Sequence, residues 1–375
     1  DIQGADEYSP EEYLQAARQI GDRLETLAYT TDDGALWLTV NFSDVYLNGI
    51  ATVGATLYDG LCGISLFLAY LGEMTGETRY TRLAKQAINT TRRYLAAAPS
   101  DIEAIGAYSG WGGMIYTFVH LAALWNDPQL IREAEGIVPR LLALIPQDPY
   151  FDLIAGSAGC LTALLVLHEA HPSRETLAAA RLCGEQLLAH AVPFENGIGW
   201  KTIPDQEECL TGFSHGTAGI AWALLKLAAA SGEEKYRTAA WQAIQYERHQ
   251  FIPEQKNWRN LFKLAVGSAD QPDFTSVKWC HGAPGIGLSR LSMLDEPYAH
   301  EEIRVAIETT LAEGFGQGQC LCHGDLGNLD LILQASERLN DRHLKQQAYT
   351  LGSSVLKSIQ RQGWDCGGPM GIDVP

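Results

Sequence analysis

The stretch Trp279-Cys-His-Gly-Ala-Pro-Gly-Ile286 contains a Gly-x-x-Gly frame that leads directly into an apolar segment. The frame occurs seven times along the chain, and successive copies are separated by 42 to 66 residues. The glycine pairs are Gly60/Gly63, Gly110/Gly113, Gly156/Gly159, Gly216/Gly219, Gly282/Gly285, Gly324/Gly327 and Gly368/Gly371. This regularity indicates that one supersecondary unit is copied along the chain.

Each of the first six frames is followed by a segment that is apolar nearly all round, which is typical of a buried helix. The segments are residues 64–71, 114–125, 161–168, 220–229, 286–294 and 329–335. Charged, amphipathic segments alternate with them, near residues 10–28, 81–97, 129–145, 174–191, 233–250, 299–313 and 341–360. The alternation predicts an all-α fold, an α/α toroid in which seven outer helices surround the inner helices. A linear helical solenoid is the alternative, which the buried character of the inner segments disfavours.

The inner helices are one fewer than the outer ones. The seventh frame, Gly368/Gly371, is followed only by Ile372-Asp-Val-Pro375, so we expect the seventh inner helix to be absent from this chain. We predict a single toroid domain over residues 1–375 because the repeat runs along the whole chain. In such a ring the N-termini of all inner helices face one rim, which is therefore the expected functional site.

The net charge, the apolar runs and the cysteine content limit the molecules and cellular locations that this protein can be expected to have as partners and surroundings. The net charge of -18 argues against a nucleic-acid partner, because phosphate backbones need faces rich in Lys and Arg. No run of about 18 apolar residues appears, so no membrane span is expected. Eight cysteines are few for 375 residues and no secretory signal precedes them, which predicts a reducing, cytoplasmic location. The chain starts at Asp1 without an initiator methionine, as we would expect for a piece of a longer protein.

The residue before the first glycine can be compared from frame to frame. These residues are Asp59, Ser109, Ala155, His215, His281, His323 and Gly367. Three consecutive frames therefore carry a histidine at one position, and Cys280 and Cys322 come immediately before two of them. Thiolates and imidazoles are the ligands that zinc prefers. The pattern predicts that these residues converge on one rim and hold zinc there.

Spacing alone leaves the ligand set open. Cys280, His281, Cys322 and His323 could close a structural site with four protein ligands. Alternatively, three of them could bind and leave one position open for catalysis. Cys320 is a further candidate, ranked lower because it lies outside the repeated frame.

With these residues the chain resembles the lanthionine synthetase C-like family over nearly its full length. The specific parts are Trp279-Cys-His-Gly-Ala-Pro-Gly-Ile286, Cys322-His-Gly-Asp-Leu-Gly-Asn328 and Gly212-Phe-Ser-His-Gly-Thr-Ala-Gly219. Three further stretches, Leu57-Tyr-Asp-Gly60, Tyr108-Ser-Gly-Trp-Gly-Gly113 and Phe151-Asp-Leu-Ile-Ala-Gly156, look most like the C-terminal cyclase domain of class II lanthipeptide synthetases. The seven-fold α/α toroid of that family agrees with the ring predicted from the repeat.

The resemblance implies a particular set of metal ligands. Zinc would be bound by Cys280, Cys322 and His323, with a fourth position open to water or a substrate thiol. His281 would then lie beside the metal, at a position where some relatives have tyrosine. We include His281 among the candidate catalytic residues.

The resemblance also implies an acid/base pair. His215 matches the histidine proposed for this role in the family. Asp152 matches a carboxylate that would orient or tune that histidine, an assignment that the repeat alone does not make.

The activity implied is zinc-dependent addition of peptide cysteine thiols to dehydroalanine or dehydrobutyrine, forming lanthionine or methyllanthionine rings in antibiotic biosynthesis. The partners implied are a dehydrated precursor peptide and an upstream dehydratase domain in the full-length protein. Two alternatives stay open. The first is a eukaryotic-type relative that adds glutathione to dehydrated residues. The second is a non-catalytic peptide-binding toroid with a structural zinc.

Overall fold

The computed structural model describes residues 8–43, 46–97, 102–204, 206–262 and 274–365. The helices within these ranges are α1 (Pro10–Leu27), α2 (Leu61–Thr75), α3 (Thr78–Ala97), α4 (Trp111–Trp125), α5 (Pro128–Leu144), α6 (Ser157–Ala170), α7 (Arg174–Ala189), α8 (Thr217–Ser231), α9 (Glu234–His249), α10 (Ala283–Leu291), α11 (Pro297–Glu313), α12 (Asp325–Arg338) and α13 (Arg342–Gln362). The predicted alternation of inner and outer helices is confirmed over this part of the chain. The seventh frame lies outside the described residues.

Four short antiparallel hairpins accompany the helices. Their strands are β1 (Tyr29–Thr30) with β2 (Ala35–Leu36), β3 (Leu38–Ser43) with β4 (Tyr46–Thr52), β5 (Val192–Phe194) with β6 (Gly197–Gly199), and β7 (Phe251–Ile252) with β8 (Asn257–Trp258). The sequence analysis predicted none of them. Six of the strands have only two or three residues, too few to show the period-2 pattern that is the main sequence signal of a strand. In β3, apolar Leu38, Val40 and Phe42 do alternate with polar residues, and this signal was missed.

The six inner helices begin directly after the first glycine of their frames. They are α2, α4, α6, α8, α10 and α12. Each therefore starts three or four residues earlier than the apolar pattern predicted, and the second glycine lies in its first turn. The reason is steric, as Gly219 illustrates: a Cβ on this residue would lie 2.0 Å from the carbonyl oxygen of Phe213. The second glycine allows the incoming chain to pass close to the helix.

The outer helices bury one stripe and expose the rest. In α3 the buried residues are Tyr80, Leu83, Ala84, Ala87, Ile88 and Thr91, which recur at helical spacing. Burying a large apolar side chain contributes about 1.5–3 kcal/mol, so packing accounts for most of the stability of such a helix. Within the described residues, none of the helices combines the length and apolar character needed to cross a membrane.

Contacts divide the chain into two compact units. One contains residues 10–148 and 154–186, where α4 packs against both α2 and α6. Among the described residues, the other contains 8–9, 149–153 and 187–365, where α10 packs against both α8 and α12. In each unit an outer helix packs against the inner helix that precedes it, as α9 does on α8. The single domain over residues 1–375 stays a prediction.

Backbone hydrogen bonds join the turns before successive inner helices. In the unit that includes 149–153, the N–H of Leu153 donates to the carbonyl of Ser214, at 3.1 Å. The N–H groups of Phe213 and Ser214 donate to Cys280, and the N–H of Cys280 donates to Cys322. Ser214, Cys280 and Cys322 each lie two positions before the first glycine of their frames, and counterparts in successive frames of these three are thus hydrogen-bonded to each other. This ladder brings the rim residues predicted from the repeat next to one another.

Candidate metal centre

Two turns supply the donor atoms of a metal-sized cluster. Cys280 lies before α10, and Cys322 and His323 lie before α12. Their donor atoms, two sulfurs and one imidazole nitrogen, all lie within 4.8 Å of one another. Cys280 is buried, Cys322 is partly buried and His323 is the more accessible group among the three. Sulfur and imidazole donors are those that zinc prefers, and a group of three at this separation is a candidate site for a metal ion.

The turn that carries Cys280 depends on Gly282. This residue has φ +98°, and a Cβ there would lie 1.6 Å from the carbonyl oxygen of Ser276. Lys278 N–H donates to the carbonyl of His281 at 3.1 Å, which closes the turn. Only glycine accommodates both the left-handed conformation and the close backbone.

Buried polar side chains fix the two turns to each other. Asn328 donates from Nδ2 to the carbonyl oxygens of Val277 and Gly314, at 2.9 and 2.6 Å. Asn257 accepts at Oδ1 from the N–H of Ala283, at 3.0 Å, and so binds the first turn of α10. The sequence analysis assigned neither asparagine a role, because nothing in the pattern shows which backbone groups they meet.

Asp325 fixes the loop that leads to Cys322. Its carboxylate accepts from the backbone N–H groups of Gly316 and Gln317, at 2.9 to 3.2 Å. Asp325 is itself buried at the start of α12, where a carboxylate is favoured by the helix dipole. The loop is thereby held against the helix that it precedes.

In the metal-free protein, hydrogen bonds join the side chains of Cys280, Cys322 and His323. A hydrogen bond with Cys322, together with burial, raises the pKa of the Cys280 thiol. Hydrogen bonds with Cys320 and Cys322 raise the pKa of His323 to about 10. Metal binding requires deprotonated ligands, so a divalent cation would displace the protons of these hydrogen bonds.

Cys320 does not lie where a fourth metal ligand would be needed. Although burial opposes the effect, a hydrogen bond with His323 lowers the pKa of the Cys320 thiol. Its sulfur does not belong to the group of mutually close donors formed by Cys280, Cys322 and His323 in the described chain. His281 does not belong to that group either. The geometry therefore favours three protein donors over the four-ligand set left open by spacing.

His215 and Asp152 form a hydrogen-bonded pair in the same unit. The distance between His215 Nδ1 and Asp152 Oδ2 is 2.5 Å, and Asp152 is almost completely buried. An ionised carboxylate only accepts hydrogen bonds, so Nδ1 of His215 is the donor in this pair. The other ring nitrogen, Nε2, points away from Asp152. Thr202 donates from its hydroxyl to the carbonyl of His215 at 2.6 Å, which fixes the backbone of the histidine.

His281 lies in an aromatic stack beside this pair. Its ring is nearly parallel to those of Phe262 and His215, with centroids 5.4 and 6.0 Å away. Burial, reinforced by the nearby His215, lowers the pKa of His281 to about 4. The imidazole is therefore neutral at pH 7. Because His281 follows Cys280 in the chain, the stack connects the His215–Asp152 pair with the candidate metal cluster.

All six residues predicted for the site thus lie in one compact unit. They form two groups, Cys280, Cys322 and His323 as one and His215 with Asp152 as the other. His281 follows Cys280 in the chain and stacks against His215. Phe262 was not among the residues predicted for the site. Its contact with two histidines depends on the fold and has no signal in the sequence.

Comparison with protein families gives a match over most of the chain. The model of the family described as lanthionine synthetase C-like protein matches residues 51–375. The solved structure of nisin cyclase is 20% identical and has a TM-score of 0.60, covering 94% of this chain and 87% of that chain. This likeness confirms the predicted fold class, an all-α α/α toroid.

Several curated proteins, including the following two, are similar in sequence. The lacticin 481/lactococcin biosynthesis protein LcnDR2 of Lactococcus lactis subsp. lactis is 24% identical over 96% of this chain. The chain spans only 38% of the length of that protein. Glutathione S-transferase LANCL1 of Danio rerio is 22% identical, over 59% of this chain and 67% of its own length.

Proposed function

Because the chain belongs to the lanthionine synthetase C-like family, we propose that it is a zinc-dependent lanthionine cyclase. It would add cysteine thiols of a dehydrated precursor peptide to dehydroalanine or dehydrobutyrine and form (methyl)lanthionine thioether rings. One observation carries this proposal: the donor atoms of Cys280, Cys322 and His323 converge within 4.8 Å in the unit that also holds the His215–Asp152 pair.

Zinc fits the donor set of the cluster. Cys280, Cys322 and His323 would hold the ion, and three protein ligands are typical of catalytic zinc sites, whereas structural sites have four. When bound, zinc supplies the positive charge that stabilises a substrate thiolate at neutral pH. The two cysteine ligands balance the charge of the ion, so a substrate thiolate next to them retains its negative charge and its nucleophilicity.

Thiol activation accounts for part of the rate enhancement. A free cysteine has a pKa near 8.5, so only about 3% is thiolate at pH 7, and full deprotonation lowers the barrier by roughly 2 kcal/mol. The remainder comes from holding the thiol and the dehydrated residue close together, as effective concentration does in other enzymes.

His215 is the proposed proton carrier. The addition forms a C–S bond and breaks the C=C π bond, and the α carbon must then take a proton. With Asp152 accepting from Nδ1, Nε2 is the nitrogen that holds or delivers this proton. Asp152 fixes the tautomer and the ring orientation. His281, neutral at pH 7, is proposed to pack against His215 and to keep water away from it.

The partners proposed are a dehydrated precursor peptide and an upstream dehydratase domain. The printed name of LcnDR2 concerns lacticin 481 biosynthesis, and that protein extends well beyond the region similar to this chain. From the same similarity to LcnDR2, we propose a role in antibiotic biosynthesis and a cytoplasmic location.

The proposal is tested by counting thiols. The zinc-loaded protein is incubated with a dehydrated, cysteine-containing peptide, and free thiols are alkylated and counted by mass spectrometry. Addition leaves the peptide mass unchanged, so the expected result is loss of alkylated product in the wild type but not with Cys322→Ala. Equal alkylation in both reactions would overturn the proposal.

The similarity to LANCL1 supports a second candidate function, addition of glutathione to dehydrated residues. The same site chemistry serves this reaction, and only the source of the thiol differs. A cysteine-free dehydrated peptide with glutathione distinguishes the two. The peptide gains the mass of glutathione if the second function holds and stays unchanged if the chain is a cyclase only.

A further inference from the structure

A network of charged side chains, two of them fully buried, links the outer helices α9 and α11 to the inner helix α10 in the unit that holds the candidate site. Glu247 on α9 and Arg290 on α10 are both completely buried, and Glu247 Oε2 accepts from Arg290 Nη2 at 2.8 Å. Neither side chain of this ion pair has any solvent-exposed area. Arg290 also donates from Nε to Glu302 on α11, which in turn accepts from Arg248.

The inner end of this network reaches the turn that carries His215. Glu247 Oε1 accepts from the backbone N–H of Gly212 at 2.9 Å and from the hydroxyl of Thr217 at 3.2 Å. Gly212 lies three residues before His215, and Thr217 is the first residue of α8. One carboxylate thus binds both ends of the turn.

The same turn is pressed against the metal cluster. Gly212 has φ +94°, and a Cβ there would lie 2.8 Å from the carbonyl oxygen of Cys280 and 3.0 Å from the Cα of His281. Arg290 belongs to α10, the helix that follows Cys280 and His281. The Glu247–Arg290 pair therefore ties the His215 turn to the helix that positions these two residues.

Energetics indicate a role other than stability. Burying two charges costs several kcal/mol per ion before pairing offsets it, and apolar residues in such places are often equally stable or more stable. Burial opposes charge on both groups: it raises the pKa of Glu247 although Arg290 opposes this shift, whereas Glu247 and Glu302 outweigh burial and raise the pKa of Arg290. An apolar residue at position 247 could not accept from the Gly212 N–H and the Thr217 hydroxyl. What the charged pair adds is a defined position for this turn.

We propose that the Glu247–Arg290 pair is the positioning device for His215, holding its turn in register with Asp152 and with the Cys280 turn. Glu247 is a positioning residue and does not touch the substrate. The kinetic part of this inference rests on the proposed cyclase function, whereas its spectroscopic part does not.

The test compares Glu247→Gln with Glu301→Gln in the zinc-loaded protein. The control is also a carboxylate paired with an arginine, Arg304, but this pair is exposed on α11. The probe is the imidazole proton of His215 that is hydrogen-bonded to Asp152, observed by nitrogen–proton NMR of histidine-labelled protein. The signal is assigned by its loss in His215→Asn.

In Glu247→Gln the His215 signal is expected to broaden or disappear, while in Glu301→Gln it matches the wild type. With dehydrated peptide, kcat is expected to fall between about tenfold and 100-fold in Glu247→Gln, because small misplacements of a catalytic group have effects of this size. KM and zinc content should stay within about twofold of the wild type, the pattern of an interaction made in the transition state.

An unchanged His215 signal in folded Glu247→Gln would overturn the inference, whatever the activity. If Glu247→Gln does not fold, Thr217→Val is used to test the inference instead. This substitution removes one hydrogen bond to Glu247 and leaves the ion pair with Arg290 intact. A weakened His215 signal in Thr217→Val supports the inference, and a signal identical to that of the wild type contradicts it. If the wild type shows no cyclisation, the proposed function fails while the NMR comparison still judges the positioning role.

Discussion

Cysteines in this chain differ in chemistry because their surroundings differ. Burial raises the pKa of the Cys62 thiol on α2 to about 12, so it is an unreactive core residue. Cys322 lies instead among two other metal donors. Cys322→Ala is expected to reduce bound zinc from one ion per chain to a small fraction, measured by elemental analysis after dialysis. Cys62→Ala is the matched control and should retain the metal.

His215 and the metal donors have separable roles in our account. His215→Asn should keep full zinc content but lose cyclisation by about 100-fold or more, in the range of general acid–base contributions. Steady-state rates and zinc content are measured together. His120→Asn on α4 is the control, because His120 is half-buried in the other compact unit and hydrogen-bonded to Tyr70. Loss of zinc in His215→Asn would show that its role is misassigned.

The buried imidazole of His281 predicts a pH dependence of stability. Its pKa is about 4 in the folded protein and about 6.5 when unfolded, so the unfolded state binds the proton more tightly. Stability is therefore fully present above pH 6.5 and is lost as the pH falls towards 4. Between pH 7 and 5 the metal-free protein should lose about 2 kcal/mol through this group.

The measurement is the free energy of unfolding in urea, compared between the wild type and His281→Phe, which preserves the ring stack with Phe262. The variant should lose about 2 kcal/mol less than the wild type between these two pH values. Equal pH dependence in both proteins would mean that His281 is not buried in its neutral form.

At the scale of elements, the positions of the turns depend on single glycines. Gly282 and Gly232 both have positive φ, +98° and +72°, but only Gly282 faces a close backbone atom. Gly232→Ala should cost about 1 kcal/mol from the backbone conformation alone. Gly282→Ala should cost about 3 kcal/mol or more, since the turn before α10 must move. Thermal unfolding of both variants measures the difference, and equal costs would contradict the structure of the turn.

The sequence predicted helices better than it predicted their ends and connections. The apolar run after each frame identified the inner helices, but the two residues between the glycines and the second glycine itself also turned out to be helical, as in α8. Apolar periodicity reports burial and does not report backbone hydrogen bonding at a glycine-rich start. The hairpin of β7 and β8 was missed because two-residue strands carry no periodic pattern.

At the scale of the whole molecule, the repeat was enough to predict the α/α toroid class. It also predicted that His215, His281 and His323 would lie on one rim, and the backbone ladder shows how adjacent turns meet. The ligand set and Asp152 came from family resemblance. Glu247 on amphipathic α9 reads as a solvated residue in the sequence. Its burial depends on Arg290, which is 43 residues away in the chain.

The central claim is that the zinc ion has three protein ligands and binds a substrate thiol. X-ray absorption at the zinc edge counts the sulfur ligands directly. The sample is the zinc-loaded protein, without and with a precursor peptide that has cysteines but no dehydrated residues, so that no addition follows binding. We predict two sulfur ligands without peptide and three with it. Three sulfurs without peptide, or a count that the peptide does not change, would contradict the account.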